Sequence, residues 1–405
     1  MKLCLRKLKS FLCVMSWKFF GGIIFVLFLA GCGGIETPPV DIAEGENLVR
    51  FARHFEIYET DKGHQLQIKY DGLQYIIDVD SNHVDRPKLN SHTHVTLGSA
   101  SSVACLSTTH ASMFDRINAV DQIAGVGFAN LIRNENTRAL IEIGRIQDLG
   151  GEDDVDFELL VDLYPEAFLV YPFGGVDYGR FQEAGIPCIP ICEYRELHPL
   201  GRAEWILAIG LISGNYESSL VAFDKIAREY FEAKLEVESF RGEMPLLRVE
   251  EVLDSTIQEL DTIARPSVFA GSFAEGIWYA PPGNSFIGVF LNDSGARYLF
   301  GDVQKTGNVE LQFEELFDKA YEVDWWGKVI YEEGDLTLDR IRADDERFAE
   351  LHAFREKQVF YCNAAETDYF GDGVVEPHVI LRDLIEIFYP ECQEDYENVY
   401  FKYIK

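Results

Sequence analysis

From residue 102 the chain alternates short apolar runs with amphipathic ones, and this pattern restricts the fold more than any other feature. "SVACLS" (102–107), "IAGVGF" (123–128), "AFLVYPF" (167–173) and "IPCIPI" (186–191) read as buried strands. Between them, "TTHASMFDRINAV" (108–120), with a threonine near its cap, "DFELLVDLYPE" (156–166) and "RFQEAG" (180–185), stopped by Gly185, read as helices. Strands that alternate with helices predict a parallel sheet covered on both faces. The alternation then stops. Residues 198–238 carry apolar residues at helical spacing, among them Trp205, Ile209, Ile212, Leu220, Phe223, Ile226, Ala227, Tyr230 and Phe231, with a break predicted at Gly214–Asn215. It resumes with "SVFAGS" and "GIWYAP" as strands, "SFIGVFLNDSG" and "LQFEELFDKAYEVD" as helices, "VDWWGKVI" as a strand and "VVEPHVILRDLIEIFYPE" (374–391) as a closing helix. The pattern predicts an α/β protein of two Rossmann-like lobes: 97–197 and 239–405, joined by a helical linker over 198–238.

The preceding residues are of other kinds. Residues 55–80, "FEIYETDKGHQLQIKYDGLQYIIDVD", alternate in period two around turn signals at Asp61-Lys62-Gly63 and Asp71-Gly72, which predicts a β-hairpin or meander within a β extension spanning 51–96. Residues 32–50 lack periodicity and read as a tether. Residues 1–31 carry Lys2, Arg6, Lys7, Lys9 and Lys18, no acid, and an apolar run from Phe19 to Ala30. As a helix that run covers only ~18 Å, against ~30 Å of hydrocarbon in a bilayer. A basic start followed by a short apolar core is the pattern of an export signal.

Composition narrows the function classes. The chain has 405 residues and a net charge of −32, and the basic leader means that the remainder is more acidic still. Such a surface repels phosphate backbones, so no nucleic-acid partner is expected. The cysteines after Cys32 are Cys105, Cys188, Cys192, Cys362 and Cys392, an odd, sparse set unlike a disulfide scaffold. No Cys-x-x-Cys or His-Glu-x-x-His occurs, so no metal site is declared. Nor is there a P-loop, a Gly-x-Ser-x-Gly or a Gly-x-Gly-x-x-Gly between strand and helix; Gly371-Asp372-Gly373 is only a loop signal.

Two resemblances add to this reading. Leu29-Ala30-Gly31-Cys32 resembles the bacterial lipobox. That implies cleavage before Cys32, lipidation of its thiol and firm membrane anchoring. "VACLSTTHASMFDRINAVDQIAGVG", "DFELLVDLYPEAFLVYP", "EAGIPCIPI", "HPLGRAEWI", "GIWYAPPGNSFIGVFLNDSGARYLF" and "LQFEELFDKAYEVDWW" together resemble the substrate-binding proteins of ABC importers for iron-siderophores, haem and cobalamin. Glu166 stands where that family usually has Asp. The resemblance implies the class III periplasmic binding protein fold, with a ligand cleft between lobes joined by a rigid helical segment. It implies a binding protein rather than an enzyme, without a cofactor of its own, although the ligand itself contains iron or cobalt. It implies a permease dimer as partner, docked through Glu158 on the first lobe and Glu314 on the second, with Glu152 and Glu315 as rivals.

In open α/β sheets ligands sit at the carboxyl ends of strands. In the first lobe this selects Thr108, Thr109, His110, Phe128, Tyr171, Phe173 and Gly174, and in the second Tyr279, Asn284, Ser285, Phe286 and Tyr369. Few cations accompany them, Arg133 and Arg180 being the nearest, which tilts the expectation toward a neutral, bulky, corrinoid-like ligand. Two alternatives stay open. A chelatase-like metal-handling enzyme of the same design would use His110 or His378. A surface capture lipoprotein would lack a permease. "GGIET" after Cys32 lacks an acidic export cluster, which favours a periplasm-facing envelope location.

Overall fold

The period-two segment folds into an antiparallel meander of β1 (Phe55–Thr60), β2 (Gly63–Tyr70) and β3 (Leu73–Asp80). The turn between β2 and β3 places Asp71 at φ 49° and Gly72 at φ 76°. Two consecutive positive φ values match the right-handed twist of a tight hairpin, and Asp-Gly adopts them readily. β4 (Lys88–Ser91) and β5 (His94–Leu97) complete a sheet of order β1-β2-β3-β5-β4, with β5 parallel to β3. The computed structural model describes residues 41–80, 86–151, 154–172, 178–242, 263–393 and 395–404.

The first α/β lobe runs β6 (Val103–Cys105), α1 (Thr108–Arg116), β7 (Ile123–Val126), α2 (Glu135–Glu142), β8 (Gln147–Asp148), α3 (Phe157–Leu163), β9 (Ala167–Val170), α4 (Gly179–Glu183) and β10 (Cys188–Pro190). Its sheet has the order β10-β9-β6-β7-β8 and every pair is parallel. The chain winds outward from β6 to β8, then crosses to the other side of β6 for β9. The crevice outside the carboxyl ends of β6 and β9 is therefore a topological switch point, where such sheets bind ligands. Gly185 ends α4 at φ 84°, as its position in the sequence predicts.

The linker is three helices, α5 (Pro199–Glu204), α6 (Ile206–Ile212) and α7 (Tyr216–Phe240). Gly214, at φ 73°, makes the break before α7. α7 buries Phe223, Ile226, Ala227, Tyr230, Ala233 and Val237, a stripe at helical spacing. Its Tyr230 hydroxyl donates to Asp293 at 2.8 Å and Lys234 pairs with the same carboxylate at 2.7 Å, tying the linker to the second lobe.

The second lobe contains β11 (Ser267–Ala270), β12 (Ser272–Ala274), β13 (Ile277–Ala280), α8 (Phe286–Asp293), β14 (Arg297–Tyr298), β15 (Val309–Gln312), α9 (Phe313–Ala320), β16 (Trp325–Ile330), α10 (Leu338–Asp344), α11 (His352–Arg355), β17 (Val359–Asn363), α12 (Asp372–Val375), α13 (Pro377–Phe388) and β18 (Phe401–Tyr403). β14-β11-β16-β17 are parallel and β18 closes the edge antiparallel. "GIWYAP" departs from the expected alternation. It is β13, the centre of a separate antiparallel sheet β12-β13-β15. Gly271 turns the chain sharply at φ 144°, and a Cβ there would lie 2.5 Å from the Tyr279 carbonyl oxygen. The Trp278 indole donates back to the Ala270 carbonyl at 3.3 Å, which folds the small sheet onto β11.

Two carboxylates hold the N-terminal segment against this framework. Glu204 accepts the backbone N–H groups of Arg50, Phe51 and Ala52 at 2.7, 2.6 and 2.7 Å. Glu196 accepts those of Arg53 and His54 at 2.9 Å each, and the Trp205 indole at 3.3 Å. The lobes also touch directly. Arg116 of α1 pairs with Glu376, between α12 and α13, at 2.5 Å, and donates to the Val375 carbonyl at 3.4 Å.

Candidate functional site

A cavity of about 250 Å³ opens at the first lobe's switch point. Residues 106–109 after β6, Phe128 after β7, Leu131 and Tyr171 after β9 line one side; Glu193, Tyr194 and Arg202 of α5 form another; Phe370 and Val374 of the second lobe face them. Both lobes and the linker thus contribute to one space.

Ser107 caps α1, its side chain accepting the Thr109 N–H at 3.4 Å. The Thr109 hydroxyl donates to Glu193 Oε1 at 2.7 Å in a buried contact. Phe128 holds φ 53° and ψ 40°, a conformation rare for a bulky residue, with its N–H bonded to the Gly150 carbonyl at 2.8 Å. Tyr171 packs on Tyr194, ring centroids 4.7 Å apart. The hydroxyls of Tyr194 and Tyr70 both donate to the Pro172 carbonyl, at 2.9 and 2.6 Å, so the N-terminal sheet reaches the rim of the site.

Of the residues singled out from sequence, Thr108, Thr109, Phe128 and Tyr171 line this cavity. Phe173, Gly174, Cys32 and Glu152 lie outside the described residues. His110 does not line it: its ring is fully buried, neither nitrogen meets a partner in hydrogen-bond geometry among the described residues, and burial pushes its pKa down to about 3 against the influence of the Leu169 carbonyl. Tyr279 lines a different cavity, also about 250 Å³, inside the second lobe between α8, α13 and the sheet. Ser285 caps α8, accepting the Gly288 N–H at 3.1 Å, and Asn284 accepts the Lys305 N–H at 3.1 Å. Tyr369 is 6% exposed and packs against Phe370, Tyr400 and Phe401, while Phe286 carries the Arg202 guanidinium 4.0 Å above its ring.

Arg202 and Glu193 are the charged residues that the sequence reading passed over. Arg133 does not line the cavity, and Arg180 lies over the Phe157 and Phe181 rings and donates to the Val155 carbonyl at 3.4 Å. Arg202 instead stands on α5, donating Nε to the Glu196 carbonyl at 3.0 Å and Nη2 to the Tyr194 carbonyl at 3.1 Å. The signal was present in both cases: an arginine within the otherwise apolar "HPLGRAEWI" and an acid directly after the buried run "IPCIPIC". Burial raises the Glu193 pKa to about 6, opposed by Thr109, by nearby backbone N–H groups and by Arg202.

A family model described as periplasmic binding protein matches residues 103–366. The chain belongs to this family. An uncharacterized lipoprotein of Methanocaldococcus jannaschii is 22% identical over 309 residues, 74% of this chain and 67% of that one. A periplasmic binding protein from Veillonella parvula superposes with a TM-score of 0.56 at 12% identity, covering 80% of this chain and 98% of that one. A periplasmic heme binding protein from Pseudomonas aeruginosa superposes with a TM-score of 0.56 at 13% identity, covering 76% and 98%. These likenesses show the class III periplasmic binding protein fold, two α/β lobes joined by helices.

In this periplasmic binding protein, Glu158 is exposed in the first turn of α3, whose N-cap Asp156 accepts the Leu159 N–H at 2.9 Å. Glu314 is exposed in the first turn of α9, where Glu315 rather than Glu314 completes the capping box with Gln312. Glu314 meets Arg347 at 3.1 Å; Arg347 also pairs with Asp345 at 2.7 Å and lies 3.5 Å over the Phe313 ring. His378 does not line the cavity; it pairs with Glu229 of α7 at 3.1 Å, and burial lowers its pKa to about 4. Cys188 and Cys192 are buried and unpaired. Among the described residues, no group of three or more His, Cys, Asp or Glu is placed to hold a metal ion, and no helix is long and apolar enough to cross a membrane.

Proposed function

We propose that this protein is the ligand-capturing component of an ABC importer, anchored to an envelope membrane through a lipid on Cys32. Its cargo is a bulky metal chelate: an iron-siderophore, haem or cobalamin-type ligand. The cargo enters between the lobes, and Glu158 and Glu314, one on each lobe, meet arginines of a permease dimer. The observation that carries this reading is the cavity shared by both lobes and α5 in a member of a binding-protein family. A carboxylate in a helix's first turn is favoured by the helix dipole by about 0.3–1 kcal/mol and suits a bidentate arginine; Glu158 is placed for this, and Glu314 would exchange its 3.1 Å contact with Arg347 for the permease arginine.

The chelatase alternative asks for His110 or His378 at a metal in the cleft. His110 is fully buried on the inner face of α1 and His378 is engaged by Glu229, so neither supports that reading. Calorimetric titration of the full-length protein in detergent with cyanocobalamin, haem and ferrichrome tests the proposal. Saturable one-to-one binding of one of them supports it, and binding of none contradicts it.

A further inference from the structure

Glu193 is a buried acid that the fold leaves half used. It is 2% exposed, follows β10 and lines the shared cavity. Oε1 is occupied by the Thr109 hydroxyl at 2.7 Å. Oε2 has no hydrogen-bond partner among the described residues. The backbone N–H groups of Glu193 and Tyr194 lie near enough to favour the ionised carboxylate, yet neither meets Oε2 in hydrogen-bond geometry. Leaving a buried carboxylate oxygen unsatisfied is costly, so a fold retains one where something else completes it.

A donor group stands on the same cavity wall. Arg202 uses Nε and Nη2 on backbone carbonyls, and no hydrogen bond engages Nη1 among the described residues. Arg202 and Glu193 interact through space without reaching ion-pair distance of one another. The cavity therefore offers an acceptor and a donor that do not satisfy each other, within walls of Leu106, Phe128, Leu131, Phe370 and Val374. A carboxylate group on the ligand would suit Arg202 but set a second anion beside Glu193. An aliphatic group would leave both unpaired.

We infer that this cavity recognises a primary carboxamide on the edge of a neutral ligand, its N–H donating to Glu193 Oε2 and its carbonyl accepting from Arg202. The inference rests on the binding-protein reading above and specifies the chemistry of its cargo. At about 250 Å³ the cavity holds one projecting substituent of such a ligand rather than the whole of it.

The test compares two corrinoids on one scaffold, amide-bearing cyanocobalamin and the carboxylate-bearing cobyrinic acid, with haem as a third probe. Each is titrated into full-length wild-type, Glu193→Leu and Glu193→Gln proteins in detergent, with thermal unfolding recorded alongside. Expected are tighter binding of cyanocobalamin than of cobyrinic acid, a loss of about tenfold or more for Glu193→Leu, and a smaller loss for Glu193→Gln, whose amide oxygen still accepts. Folded Glu193→Leu and Glu193→Gln proteins that bind cyanocobalamin as wild type does overturn the inference. So does equal or tighter wild-type binding of cobyrinic acid, or binding of haem alone, although both leave the binding-protein reading standing. Binding of none of the three overturns this inference, and if ferrichrome is not bound either, the binding-protein reading falls with it.

Discussion

Replacing Glu204 by leucine should release the N-terminal segment from the body of the protein. The carboxylate is fully buried and accepts three consecutive backbone N–H groups, those of Arg50, Phe51 and Ala52, at 2.6 to 2.7 Å. Leucine has a similar volume and no acceptor, so all three donors lose their partner at once. An orphaned donor costs about 1–3 kcal/mol if it stays dry, for a total of roughly 3–9 kcal/mol. Arg50 is exposed, and Phe51 and Ala52 are partly so, which lets water reach them once the segment lifts. The lower end, about 3 kcal/mol, is therefore expected. Local opening of this size appears in amide hydrogen exchange as roughly a hundredfold loss of protection at residues 50–52, with the β6–β10 sheet unchanged. Glu204→Gln, which keeps one acceptor oxygen, should lose less. Protection at residues 50–52 in Glu204→Leu equal to wild type would show that the carboxylate does not hold the segment, and refute the reasoning.

His110 predicts an acid sensitivity. Its folded pKa of about 3 lies below the ordinary 6.5, so its contribution is complete above pH 6.5 and is lost as pH falls toward 3. Between pH 7 and 4.5 wild type should lose about 2–3 kcal/mol more than His110→Leu in denaturant titrations; parallel curves would contradict this, and taking the difference cancels the opposing effect of Glu193 and Asp368, whose pKa values are both raised to about 6. Cys32→Ser should give exported protein that no longer sediments with membranes in a strain lacking the permease, whereas persistent sedimentation would refute lipid anchoring. Glu158→Arg and Glu314→Arg should leave ligand affinity unchanged and abolish uptake in vesicles, because like charges across an interface cost several kcal/mol; normal uptake by the double variant would remove both acids from docking.

The parallel sheets were legible because buried strands and amphipathic helices have different hydrophobic periods, and runs such as "AFLVYPF" carry no competing signal. The linker's break was legible because only a residue free to take φ 73° stands there. "GIWYAP" misled because an apolar run reads the same in a parallel or an antiparallel sheet, and its pairing with β15, about thirty residues on, is not local. The site was half legible. Strand ends located Thr108, Thr109, Phe128 and Tyr171, since topology alone places them. Glu193 and Arg202 were missed because their setting is created by long-range packing: Thr109 is 84 positions from the carboxylate it binds, and the Phe286 ring comes from the other lobe.

The most direct test of the whole account is a ligand titration read together with lobe geometry. Full-length protein in detergent is mixed with cyanocobalamin, haem or ferrichrome, and the distance between labels on exposed α3 and α9 positions is followed beside the calorimetric signal. The account predicts one-to-one binding of at least one of these chelates, accompanied by a change in that distance or in its spread as ligand bridges the lobes. A protein that binds none of them would contradict the central claim that the space between the lobes captures such a ligand.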